Sequence, residues 1–231
     1  MNTRNLLVSV LMLVCVLLSA CAPAVTATPS PALTAIPPNA VPPTAIPSNQ
    51  TTFHSPENTG FHVPLAFDYG PEWEAHVGVN TIDIVYGNEW GPGISLVNGA
   101  LVHDPTTVIS TQSASANKAD FVPWPDDFFG YIASLPGVKV IQGPDPVTIG
   151  GVQGSQIILH TPAMYPILWL KDDYGWHGGG ASGVDPELKR QMILLEVNGE
   201  QVLLEFVDSP EKFDERYPLV QEIFNSITFT K

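Results

Sequence analysis

The chain has 231 residues, with 23 acidic against 9 basic side chains and a formal net charge of −14 at pH 7. So acidic a surface repels phosphate backbones and anionic headgroups, and the nearest thing to a basic cluster is the pair Lys189-Arg190, so no nucleic-acid partner is expected. Both cysteines, Cys15 and Cys21, lie near the N-terminus, which leaves the rest without a thiol for disulfides, thiol catalysis or Cys-ligated zinc.

Met1 to Asn5 is a short polar start bearing Arg4, and Leu6 to Leu18 is a 13-residue run that is apolar apart from Ser9. That length suits a signal-peptide core and falls short of the roughly 20 residues that span a bilayer. Leu18-Ser19-Ala20-Cys21 follows, with small residues at the two positions before the cysteine. These four residues resemble the lipobox of bacterial lipoproteins. The resemblance implies a signal peptide over residues 1–20, cleavage before Cys21, and a lipid (palmitate and diacylglycerol chemistry) on that thiol. The chain would then sit in the cell envelope, anchored to a membrane outside the cytoplasm through Cys21. Ala22 stands where an Asp would favour retention on an inner membrane in some diderm bacteria.

Residues 21–52 form the lipidated cysteine and a tether rich in Pro, Ala and Thr, with no charged residue between Arg4 and Glu57. Thr34-Ala35-Ile36-Pro37 recurs as Thr44-Ala45-Ile46-Pro47. Proline at this density removes backbone donors and biases the chain to polyproline II, so a disordered linker is expected. Its 31 residues after Cys21 would reach about 95 Å at about 3.1 Å each.

From Phe53 to Lys231 the texture is that of one domain. Leu65 to Tyr69, Thr81 to Tyr86 and Ile94 to His103 read as strands. Asp126 to Leu135 reads as a helix, because Phe128, Phe129, Ile132 and Leu135 recur at helical spacing and Pro136-Gly137 stops it. Val138 to Ile141, Pro146 to Ile149, Val152 to His160 and Ile167 to Lys171 return to strand. Gln191 to Val197 and Glu200 to Val207 flank Asn198-Gly199, whose residues tolerate the positive φ of a type I′ turn. Ser209-Pro210 then starts a helix, Pro218 restarts or kinks it, and Ile227 to Thr230 closes as a strand. Strands outnumber helices, and most neighbours are close enough for hairpins. The expected class is α+β, an antiparallel β-sheet with a few packed helices.

Three stretches are similar to the Mog1/PsbP-like superfamily. They are Phe67-Asp68-Tyr69 with Pro71 and Trp73, then Val147-Thr148-Ile149-Gly150-Gly151, and the closing Phe213, Tyr217, Ile223 and Ser226-Ile227-Thr228-Phe229. The resemblance implies that fold and a tendency toward protein binding or assembly, with no shared catalytic residues.

Chemical motifs are sparse. Gly178 to Gly183 satisfies G-x-G-x-x-G, but Pro186 and a strand follow where a dinucleotide site needs a helix, so a mobile hairpin loop is expected. Six scattered histidines form no helical ligand pair, and Asp126-Asp127 and Asp172-Asp173 lack the pattern of a calcium loop. The nearest approach to a metal set is Asp172, Asp173 and His177, and no metal or cofactor is expected. No G-x-S-x-G elbow occurs. Trp90, Trp124 and Trp176 (with His177) sit among Gly and Pro in loops, where a tryptophan can anchor a partner or a sugar. If those loops share one edge of the sheet, they form a recognition surface for an envelope protein or a glycan, with Trp176 at a loop tip its anchor. If they fold back, they cover the ends of the sheet. The functional expectation is a non-catalytic binding or assembly module; the alternative is an extracytoplasmic hydrolase with a site assembled from distant residues. The anchor is directly testable: Cys21→Ala should abolish lipidation and move the protein from membrane to soluble fraction, and membrane retention at unchanged mass would refute it.

Overall fold

The computed structural model describes residues 49–56, 61–87, 93–104, 118–162, 168–170, 176–177 and 187–230. These fall within one compact unit. Cys21, the signal and tether up to residue 48, Trp90, and the 178–183 glycine run lie outside the described residues. Among the described residues no helix is long and apolar enough to cross a membrane.

Strand β1 (Thr51–His54) starts two residues ahead of the expected domain boundary and is followed by β2 (Leu65–Tyr69), β3 (Trp73–Val77) and β4 (Thr81–Tyr86). Next come β5 (Gly93–Val97), β6 (Gly99–His103), β7 (Phe121–Pro123) and helix α1 (Phe128–Ser134). The strands β8 (Lys139–Ile149), β9 (Val152–Pro162), β10 (Leu168–Leu170), β11 (Trp176–His177), β12 (Glu187–Val197) and β13 (Glu200–Asp208) precede helix α2 (Pro210–Ser226) and β14 (Thr228–Phe229). They build a seven-stranded antiparallel sheet, β3-β4-β5-β13-β12-β9-β8, a three-stranded sheet, β1-β2-β14, and a four-stranded sheet, β11-β10-β6-β7. The class is α+β, as the sequence indicates.

Several elements differ from expectation for identifiable reasons. Ile94 to His103 is two strands, because the fully buried Asn98 breaks the run. Its backbone N–H donates to the Asn80 carbonyl at 3.0 Å, while its side chain accepts from His62 N–H at 3.0 Å and donates to the Gln201 carbonyl at 3.3 Å. Those bonds turn the chain from the seven-stranded sheet into the four-stranded one. Conversely, the two short strands expected over residues 138–149 are one strand, β8, with register shifts on either side of Gln142 that accommodate its Gly-Pro-Asp-Pro segment. Pro218 neither ends nor restarts α2. It lies on the solvent side, where water can satisfy the carbonyl that a proline leaves unpaired. The Asn198-Gly199 turn has φ of 56° and 82°, the two positive values of a type I′ hairpin.

The β12–β13 hairpin lies at the centre, and its period-2 alternation serves two cores. Ile193, Leu195, Val202, Leu204 and Phe206 face Phe213, Val220, Ile223 and Phe224 of α2, with Leu65 and Phe67 of the three-stranded sheet in the same cluster. On the other face Met192 and Leu203, with Ile157 and Leu159 of β9, meet Phe128, Phe129 and Ile132 of α1 and Val102 and Leu168 of the four-stranded sheet. Full burial of such a side chain contributes about 1.5–3 kcal/mol.

Within that second face lies an ion pair. Arg190 Nη1 donates to Glu205 Oε1 at 2.6 Å and Arg190 Nε to Thr161 Oγ1 at 2.7 Å, with both charged side chains buried. Removing one partner takes this bond from a charge that stays buried, which costs about 3–5 kcal/mol, whereas a well-packed apolar pair can be neutral. In urea denaturation Glu205→Leu should therefore lose about 3–5 kcal/mol and the double variant Arg190→Met/Glu205→Leu should regain most of it. A single variant as stable as wild type would show that the pair is not coupled.

Candidate functional site

Helix α1 is short, and its ends are set locally. Asp127 is its N-cap, with Oδ1 accepting from Gly130 N–H at 2.9 Å. At the far end the Leu135 N–H closes back on the Ile132 carbonyl at 3.1 Å, and Gly137 takes a φ of 80° that a Cβ would oppose. The helix is tied to β6 by Tyr131, whose hydroxyl donates to the His103 carbonyl. The buried His103 ring meets Phe121 of β7 edge-on at 5.7 Å. Burial lowers the pKa of this imidazole, against the opposing pull of Asp120 and Asp104.

Beyond α1 no element among the described residues covers the second face of the seven-stranded sheet, and a cavity of about 640 Å³ opens there. Its floor is the end of the sheet nearest the Asn198-Gly199 turn. Gln153 and Ser155 come from β9, Leu194 and Glu196 from β12, and Gln201 from β13. Ser155 stands opposite Leu194, and Glu196 directly opposite Gln201. The wall is the segment Trp124 to Phe129, and Pro144 of β8 forms part of the rim. Trp124 is half-buried: its Nε1–H donates to the Gly99 carbonyl at 3.3 Å and its ring packs on Phe128 at 4.6 Å between centroids. The lining therefore offers an aromatic wall, two amides and a hydroxyl that can donate or accept, and the carboxylates of Asp126, Asp127 and Glu196 as acceptors. It contains no Lys, Arg or His among the described residues.

The tryptophans read as loop anchors are not brought together. Trp124 follows β7, one edge strand of the four-stranded sheet, whereas Trp176 and His177 form β11, the opposite edge strand, paired with Trp169 and Leu168 of β10. Trp176 is thus in a strand rather than at a loop tip, and three strand spacings of about 4.8 Å separate the two edges. Trp90 lies outside the described residues, as do Asp172 and Asp173. Trp124 lines the cavity, and it does so folded back onto the core. The floor residues escaped sequence reasoning, although β9 carries a signal. Along one face it reads Gln153, Ser155, Ile157, Leu159, a switch from polar to apolar at the point where α1 begins to cover the sheet.

No protein-family profile and no curated protein matches the chain. Among solved structures it is similar to the solution structure of cyanobacterial PsbP (CyanoP) from Synechocystis sp. PCC 6803, at 8% identity and a TM-score of 0.41, covering 79% of this chain and 93% of that one. It is also similar to the crystal structure of LpqN, involved in cell envelope biogenesis of Mycobacterium tuberculosis, at 11% identity and a TM-score of 0.40, covering 79% and 92%. At such values neither likeness says what this chain does.

The wall's attachment through Tyr131 has a pH signature. Burial, reinforced by the negative charge of Asp104, pushes the Tyr131 hydroxyl up to about 12. A phenol whose folded pKa lies above the unfolded value near 10 holds its proton in the folded state while the unfolded chain releases it, so its contribution to stability is intact below about pH 10 and lost as pH rises toward 12. Tyr131→Phe should lower stability by about 1 kcal/mol at neutral pH and flatten this alkaline loss. A spectrophotometric titration in which the variant and wild type differ by a tyrosine ionising near 10 would contradict the assignment.

Proposed function

We propose that the chain is a membrane-anchored, extracytoplasmic and non-catalytic binding module whose ligand site is the cavity beside Trp124. In this reading Cys21 carries the lipid, residues 22–50 hold the domain away from the membrane, and the cavity meets a ligand of the envelope. The lipobox-like Leu18 to Cys21, the Pro-rich uncharged tether and the Mog1/PsbP-like motifs support the placement and the binding role. The observation that carries the site is the change of character along the second sheet face. Where α1 covers the strands they are apolar, and where the cavity opens they present Gln153, Ser155, Glu196 and Gln201. An uncovered sheet end needs polar residues only to meet water. Here they form the floor of a concave site with an aromatic wall, the combination that fixes and orients a ligand.

The test is ligand-observed NMR with a mixture of small polar fragments and the full-length mature protein in micelles. Ser155→Trp fills the cavity from an exposed strand position and should leave the melting temperature unchanged. Fragments that bind wild type should lose contact with this variant. Undiminished binding to Ser155→Trp, or no fragment bound by wild type, would remove the cavity as the ligand site.

A further inference from the structure

We infer that the cavity takes a neutral oligosaccharide and rejects anionic glycans; this rests on the cavity being the ligand site. Three properties of the lining converge on that class. The first is the pairing of an aromatic wall with a polar floor. A sugar ring has a C–H face that packs against an aromatic side chain and a rim of hydroxyls that both donate and accept. Trp124 meets the first requirement, and Gln153, Ser155, Glu196 and Gln201 the second. An acyl chain would meet Trp124 but would bury those polar groups without partners, which disfavours it.

The second property is spacing. Gln153 and Ser155 are two residues apart on one strand, hence about 6.8 Å, and Glu196 and Gln201 face each other across the hairpin with Cβ atoms about 5 Å apart. Leu194 thus has Ser155 beside it on β9 and Leu203 beside it on β13, with Gln153, Glu196 and Gln201 nearer the turn. A ligand lying over Leu194 meets an apolar contact there, a hydroxyl on the β9 side and hydrogen-bonding groups toward the turn. This suits a ring with an apolar face and polar edges. The cavity volume of about 640 Å³ is within the range that holds a ligand of several rings.

Charge supplies the third constraint. Asp126, Asp127 and Glu196 line the cavity, no cation does so among the described residues, and the chain as a whole carries −14. Asp127 is engaged in capping α1, while Asp126 and Glu196 are exposed. Carboxylates accept hydrogen bonds from sugar hydroxyls, but a uronate or phosphate brought beside them is repelled by each. The hydroxyl and the two amides on the floor answer a neutral polyol better than they answer an ammonium group.

Titration calorimetry with the full-length mature protein in micelles tests the class directly. The probes are the neutral trisaccharides triacetylchitotriose, cellotriose and maltotriose, the anionic hyaluronan tetrasaccharide, and trilysine. At least one neutral trisaccharide should bind, weakening about tenfold in Trp124→Ala. Gln201→Ala, at a half-exposed strand position, provides a second variant that should weaken binding should Trp124→Ala fail to fold. Hyaluronan should bind about tenfold more weakly than the best neutral sugar at low salt, and Glu196→Gln with Asp126→Asn should narrow that gap. Tighter binding of hyaluronan or trilysine, or no binding by all three neutral sugars, would overturn the class. If polar fragments still occupy the cavity under either result, the site stands and only its ligand class falls; if they do not, the site itself falls.

Discussion

A central hairpin that is apolar on both faces must be covered twice, and the rest of the molecule follows from how that is done. β12 has 11 residues and β13 has 9, so they extend about 36 Å and 30 Å. On one face α2, with 17 residues and about 26 Å of length, joins the three-stranded sheet in a single continuous core. On the other, α1 has 7 residues and about 10 Å of length. Even with the four-stranded sheet beside it, this cover stops short of the Asn198-Gly199 turn among the described residues. The cavity is the difference between the two covers.

Polar groups buried beneath these covers fix how the layers meet. Asp208, at the end of β13, accepts from Arg216 Nη1 of α2 at 2.9 Å and from the Ser209 N–H at 2.7 Å. Burial raises the pKa of this carboxyl, and the backbone and guanidinium donors oppose the rise. Arg216 also lies 4.3 Å over the Tyr86 ring, which meets Trp73 edge-on at 5.0 Å, so a single side chain connects α2 to the outer strands β3 and β4. On the opposite face Arg190, Glu205 and Thr161 connect β12, β13 and β9. Each face thus holds polar groups that its own arrangement of elements satisfies, and this disfavours slippage of the hairpin by one residue, which would exchange the two faces.

Strands and helices with strong local patterns were legible in the sequence. Leu65–Tyr69 and Thr81–Tyr86 have the expected bounds, the Asn198-Gly199 turn is where turn chemistry puts it, and α2 starts with Pro210 in its first turn although the Ser209 side chain makes no capping bond. What escaped were elements set by partners far away in the chain. β3, with Trp73, Glu74, Ala75, His76 and Val77, has too mixed a pattern to declare itself, and it exists because β4 pairs with it. The break at Asn98 depends on bonds to Asn80, His62 and Gln201, none of them a sequence neighbour. The cavity was illegible for the same reason. Its floor comes from three strands and its wall from a loop whose Trp124 is held by Gly99, a residue on the adjacent strand of another sheet. Trp124 was singled out for exposure, yet it matters through being half-buried, with its indole N–H turned inward.

The proposed anchoring bears on how strong the cavity's grip needs to be. A domain held to a membrane by a lipid and a 29-residue tether meets ligands within the tether's reach at an effective concentration set by geometry, on the order of millimolar for a short flexible linker. A flexible chain of that length has a root-mean-square span of about 30 Å, and proline stiffening pushes it toward the extended limit. A repeating polymer within that reach presents many copies of the same unit. A shallow site with one aromatic wall and exposed carboxylates then suffices, because rebinding replaces residence time. Tight binding would fix the domain to one unit of the polymer, whereas a weak neutral-sugar site lets it sample the layer around its anchor. On that physics the incomplete cover of the second sheet face would be adequate for the proposed role: a deeper cavity would require a longer α1 or a higher wall, and a tether of this kind would make neither necessary.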